Sequence, residues 1–248
     1  MPIETDREVP NVDVVAVGAH PDDVEVACGG TLAKMAIDGY RVAMIDLTDG
    51  EPTPQCPDRA TRMAESDAAA EALGVSIRVQ CGLPNRTLMD GPEARFLVAK
   101  WLRRLRPRLV IGFGDRTPMA SPDHHQAMLI TDAAIFYSRL CKWPELFDDL
   151  PPHVVQRHLY FRMPLEPELL PGHSHHFVSD ISSTIEAKLE SIRQYRTQFD
   201  HKPHFEERVR SAAVTTGSLS GCRYGEMFAV AKPQAVEDVM GFLGLGLG

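Results

Sequence analysis

A histidine and two adjacent carboxylates follow the first apolar run of the chain. The run Val12–Ala19 is rich in β-branched residues and predicts a buried strand, and His20-Pro21-Asp22-Asp23 comes directly after it. Imidazole and carboxylate groups suit Zn²⁺, so His20 and Asp23 are candidate metal ligands. Asp22 would stay free of the metal and could act as a general base on metal-activated water. The alternative is a loop whose aspartate caps the next helix.

A second segment, Ser121-Pro122-Asp123-His124-His125, offers the missing ligand. A catalytic zinc site needs three protein ligands and an open position, and His20, Asp23 and His124 would supply them. Asp123 is predicted to orient an imidazole, to cap the helix that begins there, or to do both. His125 is predicted to face the substrate or the surface, because adjacent helical residues point about 100° apart. Together the two segments predict a metal-dependent hydrolase.

Three further features are weaker candidates. The Thr48–Glu51 segment follows a predicted strand, so that Glu51 could bind sugar hydroxyls, although a plain turn explains Asp-Gly equally well. Arg62 could grip an anionic substrate group or could be a solvated helix charge. The histidine-rich segment 171–176 could form a second metal site, or one of its histidines, such as His175, could reach the active site as an acid or oxyanion donor.

Alternating apolar runs and helical patterns predict the elements that position these residues. In the first half, strands are predicted at Val12–Ala19, Arg41–Leu47, Val75–Val79 and Arg108–Gly112, and helices at Glu25–Asp38, Asp58–Leu73 and Glu93–Leu105. This alternation is typical of an α/β, Rossmann-like three-layer sandwich with a mostly parallel sheet. Such sheets bind ligands beyond the carboxyl ends of their strands, where both candidate segments fall.

The second half is less regular. Helices are predicted at Pro122–Leu140, Ser182–Phe199, Phe205–Leu219 and Gln234–Phe242, and strands at Val154–Phe161 and Tyr224–Val230. No convincing linker interrupts the chain, so one domain over residues 1–248, with a core from about 12 to 230, is expected.

Composition excludes several classes of protein. The net charge is −8 and no basic block stands out, which argues against a nucleic-acid partner. No run approaches the ~18 apolar residues of a membrane span, and the polar N-terminus is no signal peptide. The five cysteines are scattered without a CxxC pair, which favours a cytoplasmic protein with reduced thiols. No glycine-rich dinucleotide or P-loop motif follows the first strand.

Ala19-His20-Pro21-Asp22-Asp23-Val24-Glu25, with Gly29-Gly30-Thr31-Leu32, resembles the signature of the LmbE-like (PIG-L) zinc-dependent N-acetylglucosamine deacetylases. Pro122-Asp123-His124 resembles the second motif of that family. Several further segments are similar to its bacillithiol-type branch: 46–51, Arg62-x-x-Glu65, 68–70, 73–75, Gly82-Leu83-Pro84-Asn85, 180–182, Lys188, 195–199 and 224–228.

The resemblance implies a Rossmann-like fold, Zn²⁺ on His20, Asp23 and His124, with Fe²⁺ as an alternative ion, and Asp22 as general base. The implied reaction is hydrolysis of an N-acetyl group from a glucosamine moiety, with N-acetylglucosaminyl malate as the substrate in the bacillithiol-type branch. Four residues are the expected substrate contacts: Glu51, Arg62, Asn85 and His175. A homo-oligomer, a trimer or a hexamer, is also implied.

One departure stands out. The second motif of the family usually begins with a histidine, often preceded by arginine, where this chain has Ser121 and Ala120. That histidine is thought to stabilise the oxyanion or assist the leaving group, and losing one such donor typically costs ~10²–10³ in rate. Either His125 or a histidine of 173–176 substitutes for it, or the substrate differs, or activity is weak. The alternatives to the deacetylase are an amidase acting on another acylated amine or thiol conjugate, and a metal- or sugar-binding protein without turnover.

Overall fold

The computed structural model describes residues 11–165 and 175–242. The strands are β1 Val14–Gly18, β2 Val42–Thr48, β3 Ile77–Leu83, β4 Leu109–Phe113, β5 Arg157–Phe161, β6 His176–Asp180 and β7 Gly225–Val230. The helices are α1 Asp23–Ile37, α2 Arg59–Ala72, α3 Pro92–Leu105, α4 Asp123–Tyr137, α5 Ile185–Arg193, α6 Arg196–Phe199, α7 Phe205–Ser218 and α8 Val239–Phe242, with a 3-10 helix at Pro144–Phe147. None of these helices is both long and apolar enough to cross a membrane.

The strands form one sheet in the order β3-β2-β1-β4-β5-β7-β6. Strands β1 to β5 are parallel, whereas β7 runs antiparallel to both β5 and β6. Every residue of β1 and β2 is buried, which explains their nearly continuous apolar sequences, since a parallel strand is covered on both faces. The α/β, Rossmann-like, mostly parallel sheet predicted from the sequence is confirmed.

The order of the strands in the sheet explains why the helices form two layers. The order runs outward from β1 to β3 and then returns to β4 on the other side of β1. Because parallel crossovers are right-handed, this reversal places the helices of the two halves on opposite faces. Helices α1, α2, α5 and α7 pack in one group, and α3 packs on α4. The reversal at β1 and β4 is also where such sheets form a crevice.

A buried ion pair joins three elements beneath α1. Helix α1 is interrupted at Cys28, whose φ of −140° is not helical. The Glu226 carboxylate of β7 accepts hydrogen bonds from the backbone nitrogens of Gly30 at 3.0 Å and Thr31 at 2.8 Å. Lys188 of α5 donates to the same carboxylate at 2.6 Å, and both side chains are almost fully buried. The negative charge thus lies where the second part of α1 begins, as the helix dipole favours.

Three predictions of secondary structure need correction. The helix predicted at Ser182–Phe199 is divided into α5 and α6, because the buried Tyr195 leaves helical geometry and its hydroxyl donates to Glu25 at 2.6 Å. Strand β6 was not predicted, since it is a short edge strand whose sequence carries little alternation. The C-terminal helix begins at Val239 rather than Gln234.

The ion pair yields a stability prediction. Lys188→Met leaves the Glu226 charge buried without its cation, so the free energy of unfolding in urea should fall by about 3–5 kcal/mol. The double variant with Glu226→Gln should recover part of that loss because no charge remains buried. The control Lys142→Gln, at an exposed lysine, should change stability by less than about 0.5 kcal/mol. A double variant no more stable than Lys188→Met would contradict this account.

Candidate active site

Three potential metal ligands meet at the carboxyl edge of the sheet. His20 follows β1, Asp23 is the first residue of α1, and His124 lies in the first turn of α4 beyond β4. One donor atom from each lies within 4.8 Å of the others. Parallel strands β1 and β4 are neighbours, so the residues that follow them are brought together although they are far apart in sequence. The structure therefore assembles the predicted ligand set.

The Asp23 carboxylate lies between the two imidazoles. Its Oδ2 accepts hydrogen bonds from the backbone nitrogens of Ala19 at 3.0 Å and His20 at 2.8 Å. The same Oδ2 is 3.3 Å from Nδ1 of His20, and Oδ1 is 3.3 Å from Nε2 of His124. The facing atoms therefore identify Nδ1 of His20 and Nε2 of His124 as the nitrogens available to an ion.

The other nitrogen of each imidazole has its own partner. Nε2 of His20 is 3.3 Å from Oδ2 of Asp123, which also accepts the backbone N–H of Arg86 at 2.6 Å. Nδ1 of His124 is 2.6 Å from the Thr117 hydroxyl. Such contacts fix the tautomer and the ring orientation of a metal-binding histidine. Asp123 therefore orients an imidazole, as predicted, and that imidazole belongs to His20.

The charges of the cluster favour a cation. Burial acts to lower the pKa of His20, but Asp23, Asp123 and Asp22 outweigh it and raise that pKa to about 10. Burial acts to raise the pKa of Asp23, yet the two histidines hold it well below its usual range. A divalent ion could replace the proton on His20, since metal binding requires a neutral imidazole. Two nitrogens and one carboxylate fit Zn²⁺ and leave an open coordination position.

Asp22 faces the cavity from beside this cluster. Its φ of 113° turns its side chain away from that of Asp23, and its exposed fraction is 20%, against 5% for Asp23. Nη2 of the buried Arg62 donates to Oδ2 of Asp22 at 3.1 Å and to the carbonyl oxygen of Pro21. Burial raises the pKa of Asp22, and the Arg62 guanidinium opposes that rise. A carboxyl group in this position can exchange a proton with a molecule in the cavity.

The cavity has a volume of about 420 Å³, in the range typical of small-molecule sites. Besides the ligand set and Asp22, its walls include three of the predicted residues, Ser121, Arg62 and Asn85. Arg62, an expected substrate contact, lines the cavity, and its Nη2 also holds Asp22 and the carbonyl oxygen of Pro21.

Two of the predicted residues stand behind the cavity wall. Glu51 accepts hydrogen bonds from the backbone N–H of Thr53 at 2.6 Å and from its hydroxyl at 2.9 Å, and its carbonyl accepts from Asn85 at 3.0 Å. Glu51 thus shapes the loop instead of lining the cavity. His125 is half-buried on α4 and does not line the cavity either, because it points away from the face that carries His124.

The structure corrects the predicted position of His175. It precedes β6 and lines a different cavity, with Val14 and Arg108, at the edge where β1 and β4 begin. Because β7 is antiparallel to both β5 and β6, strand β6 runs in the same direction as β1 to β5, and the residue before it lies at the edge opposite the candidate ligands. His176 is already within β6, and residues 171–174 of the predicted second metal site lie outside the described residues.

Sequence reasoning missed several residues of the site. Thr117 lies in an irregular loop with no motif. The other missed residues reach the cavity from α6, the segment after it and the start of α7: Gln198, Phe199, Lys202 and Phe205. The only signal for this wall was the local similarity of residues 195–199 to the bacillithiol-type branch. Its position at the cavity follows from the break at Tyr195, which no sequence pattern indicated.

Residues 15–135 match the family model described as "PIG-L: GlcNAc-PI de-N-acetylase". The diacetylchitobiose deacetylase of Thermococcus kodakarensis is 27% identical over 224 residues, which cover 86% of this chain and 80% of that protein. A 1D-myo-inositol 2-acetamido-2-deoxy-alpha-D-glucopyranoside deacetylase of Nocardiopsis dassonvillei is 31% identical over 45% of this chain and 50% of its own length. The crystal structure of a conserved protein of Thermus thermophilus aligns with a TM-score of 0.77 and 31% identity, over 91% of this chain and 97% of that one.

The ligand geometry makes a prediction about metal content. His124→Ala should remove a ligand and abolish tight binding of Zn²⁺, whereas Asp123→Asn should weaken it about 10–100-fold, because Asp123 only orients His20. Equilibrium dialysis against Zn²⁺ with elemental analysis measures both effects. The control His125→Ala should bind like the parent protein. Equal loss of affinity in the Asp123 and His125 variants would contradict the assignment.

Proposed function

We propose that this member of the PIG-L (LmbE-like) family, an amide-hydrolysing enzyme, uses Zn²⁺ and Asp22 to remove the N-acetyl group of a GlcNAc-type substrate. Asp22 would act as the general base. The observation that carries the proposal is the convergence of His20, Asp23 and His124 with Asp22 open to the same cavity. Fe²⁺ is the alternative ion for the same donors.

A divalent ion held by this set would polarise the acetamide carbonyl and make water a stronger nucleophile at neutral pH. Asp22 accepts a proton from the attacking water and passes it to the nitrogen of the departing amine. Burial raises the pKa of Asp22 against the opposing effect of Arg62, which makes its carboxylate a stronger proton acceptor than an exposed one. The products are acetate and the free amine of the sugar.

Other side chains keep these groups in position. Arg62 holds the Asp22 carboxylate through its contact at 3.1 Å, Asp123 holds His20, and Thr117 holds His124. Small errors in such positions have large effects on rate, since proton transfer requires hydrogen-bond distances. Substrate contacts would come from Asn85, from Arg62 and from the residues of the outer wall, all of which line the cavity.

Ser121 stands where the family usually has a histidine, and it lines the cavity. Its Oγ accepts a long hydrogen bond of 3.3 Å from the backbone N–H of Asp123. The hydroxyl proton therefore remains available to the acetamide oxygen. Among the described residues, His20 and His124 are the histidines that line the cavity, which supports Ser121 rather than His125 or His175 as the donor to the oxyanion.

The substrate is proposed from the relatives. Their names share a glucosamine unit with an N-acetyl group, attached in one to a second sugar and in the other to inositol. The present chain would deacetylate a comparable glycoside, and N-acetylglucosaminyl malate is the candidate from the bacillithiol-type resemblance. The second candidate, a binding protein with weak or lost turnover, is favoured by one observation, the serine at position 121.

Free-amine release tests this function. Zn²⁺-loaded protein should release amine from at least one member of a panel that contains N-acetylglucosamine, its methyl glycoside, its malate glycoside and diacetylchitobiose. Asp22→Asn should lower kcat by about 10²–10⁴-fold, because the proton acceptor is lost, while zinc content is retained. Full activity in Asp22→Asn would show that the base is wrongly assigned. No release from any member by zinc-loaded protein would instead favour the binding protein.

Ser121 gives a separate prediction. Ser121→Ala removes one neutral hydrogen bond to the developing oxyanion, so kcat should fall about tenfold with little change in KM. His125→Ala is the matched control and should keep kcat within about twofold, since its side chain does not line the cavity. The reverse ranking of the two variants in steady-state assays would assign the oxyanion contact to His125.

A further inference from the structure

An aromatic wall borders the catalytic cavity on the side of α6 and α7. The rings of Phe199 and Phe205 are stacked, with centroids 4.2 Å apart and planes inclined by 14°. His204, with a φ of 61°, directly precedes Phe205, the first residue of α7. Both rings line the cavity, as do Met163 and Leu165. This part of the cavity is therefore apolar, unlike the catalytic end.

One lysine lies on this wall. Nζ of Lys202 is 4.9 Å from the ring centroid of Phe199 and 5.8 Å from that of Phe205, and Lys202 also lines the cavity. Within residues 11–165 and 175–242, no carboxylate oxygen lies within 4.0 Å of this ammonium group. The nearby Glu206 and Glu207 are paired with Arg193 and His204 instead. The ammonium group is thus exposed at the cavity with its charge available.

The two ends of the cavity would hold different parts of the substrate. The acetamide must reach the proposed ion and Asp22 at the catalytic end, so a charged group elsewhere on the substrate would lie outside that end. Lys202 offers such a group, when it is an anion, a cation on the aromatic wall. Stacked rings offer a flat apolar surface beside that charge, which suits a planar or apolar group. N-acetylglucosamine itself is neutral, so this wall is suited to the group attached to the sugar.

We propose that Phe199, Phe205 and Lys202 form the subsite for the aglycone and select N-acetylglucosaminides whose aglycone combines an apolar body with a carboxylate. This inference rests on the proposed deacetylase function and adds the residues that determine specificity. Malate, the candidate named under the proposed function, is a small polar acid that would contact the lysine alone, whereas an amphiphilic aglycone would contact both the lysine and the rings.

Four glycosides of N-acetylglucosamine test the carboxylate and the apolar ring of the aglycone separately. The methyl glycoside has neither group, the carboxymethyl glycoside has the carboxylate, and the phenyl glycoside has the ring. The 4-carboxyphenyl glycoside has both. The zinc-loaded parent protein should show its highest kcat/KM with the 4-carboxyphenyl glycoside. Lys202→Gln should raise KM for the two carboxylated glycosides about 3–10-fold and leave the phenyl and methyl glycosides within about twofold. Phe199→Leu should impair both aryl glycosides and spare the methyl glycoside.

Lys142→Gln is the matched control, since that lysine is exposed and does not line the cavity. Release of amine from the methyl glycoside, with equal kcat/KM for all four in the parent protein, would overturn the subsite and leave the deacetylase function standing. An equal effect of Lys202→Gln on all four would also overturn it. No release from any of the four would overturn the function and the subsite together.

Discussion

The Asp23 carboxylate is the group on which the rest of the site depends. By accepting the backbone N–H groups of Ala19 and His20, it turns the chain at the end of β1 and starts α1. The same group lies 3.3 Å from the imidazoles of both His20 and His124, which come from opposite ends of the family match. A buried carboxylate requires compensating donors or cations. The turn that ends the strand therefore also creates a cation-binding geometry.

A second layer of buried charge holds this turn in place. Arg78 of β3 pairs with Glu25 at 2.6 Å and with Asp46 of β2 at 2.7 Å. Burial raises the pKa of Asp46 to about 6, against the opposing effect of Arg78. The Tyr195 hydroxyl also donates to Glu25, and this contact interrupts the helix before α6. One network thus fixes the first turn of α1 and directs the chain that carries Phe199 and Lys202 to the cavity. The catalytic end and the outer wall are therefore positioned by common contacts.

The sequence predicted the parts of the site that depend on local pattern. A buried parallel strand followed by polar residues places His20 and Asp23 at the carboxyl edge, and the neighbouring strand does the same for His124. The outer wall could not be predicted, because Phe199 reaches the cavity through the tertiary contact of Tyr195 with Glu25. The contact of Arg62 with Asp22 could not be predicted, because the two residues lie 40 positions apart in sequence. His175 was misplaced because edge strand β6 carries no clear pattern, and its position is set by pairing with β7.

The serine at position 121 changes how the site can stabilise the negative charge that develops on the oxyanion. A histidine there could carry a positive charge toward the developing oxyanion, whereas a hydroxyl donates one neutral hydrogen bond. Arg62 is the cation in contact with Asp22, and it also lines the cavity.

In the proposed deacetylase, the stabilisation lost at position 121 would have to come from other contacts of the substrate. Binding energy from a remote part of a substrate can hold the reacting group in position and so raise kcat. In the proposed subsite, the stacked rings and the ammonium group of Lys202 would supply such remote contacts. The change at Ser121 and the wall at Phe199 and Lys202 are thus consistent with one strategy, in which recognition of the aglycone compensates for a weaker oxyanion contact.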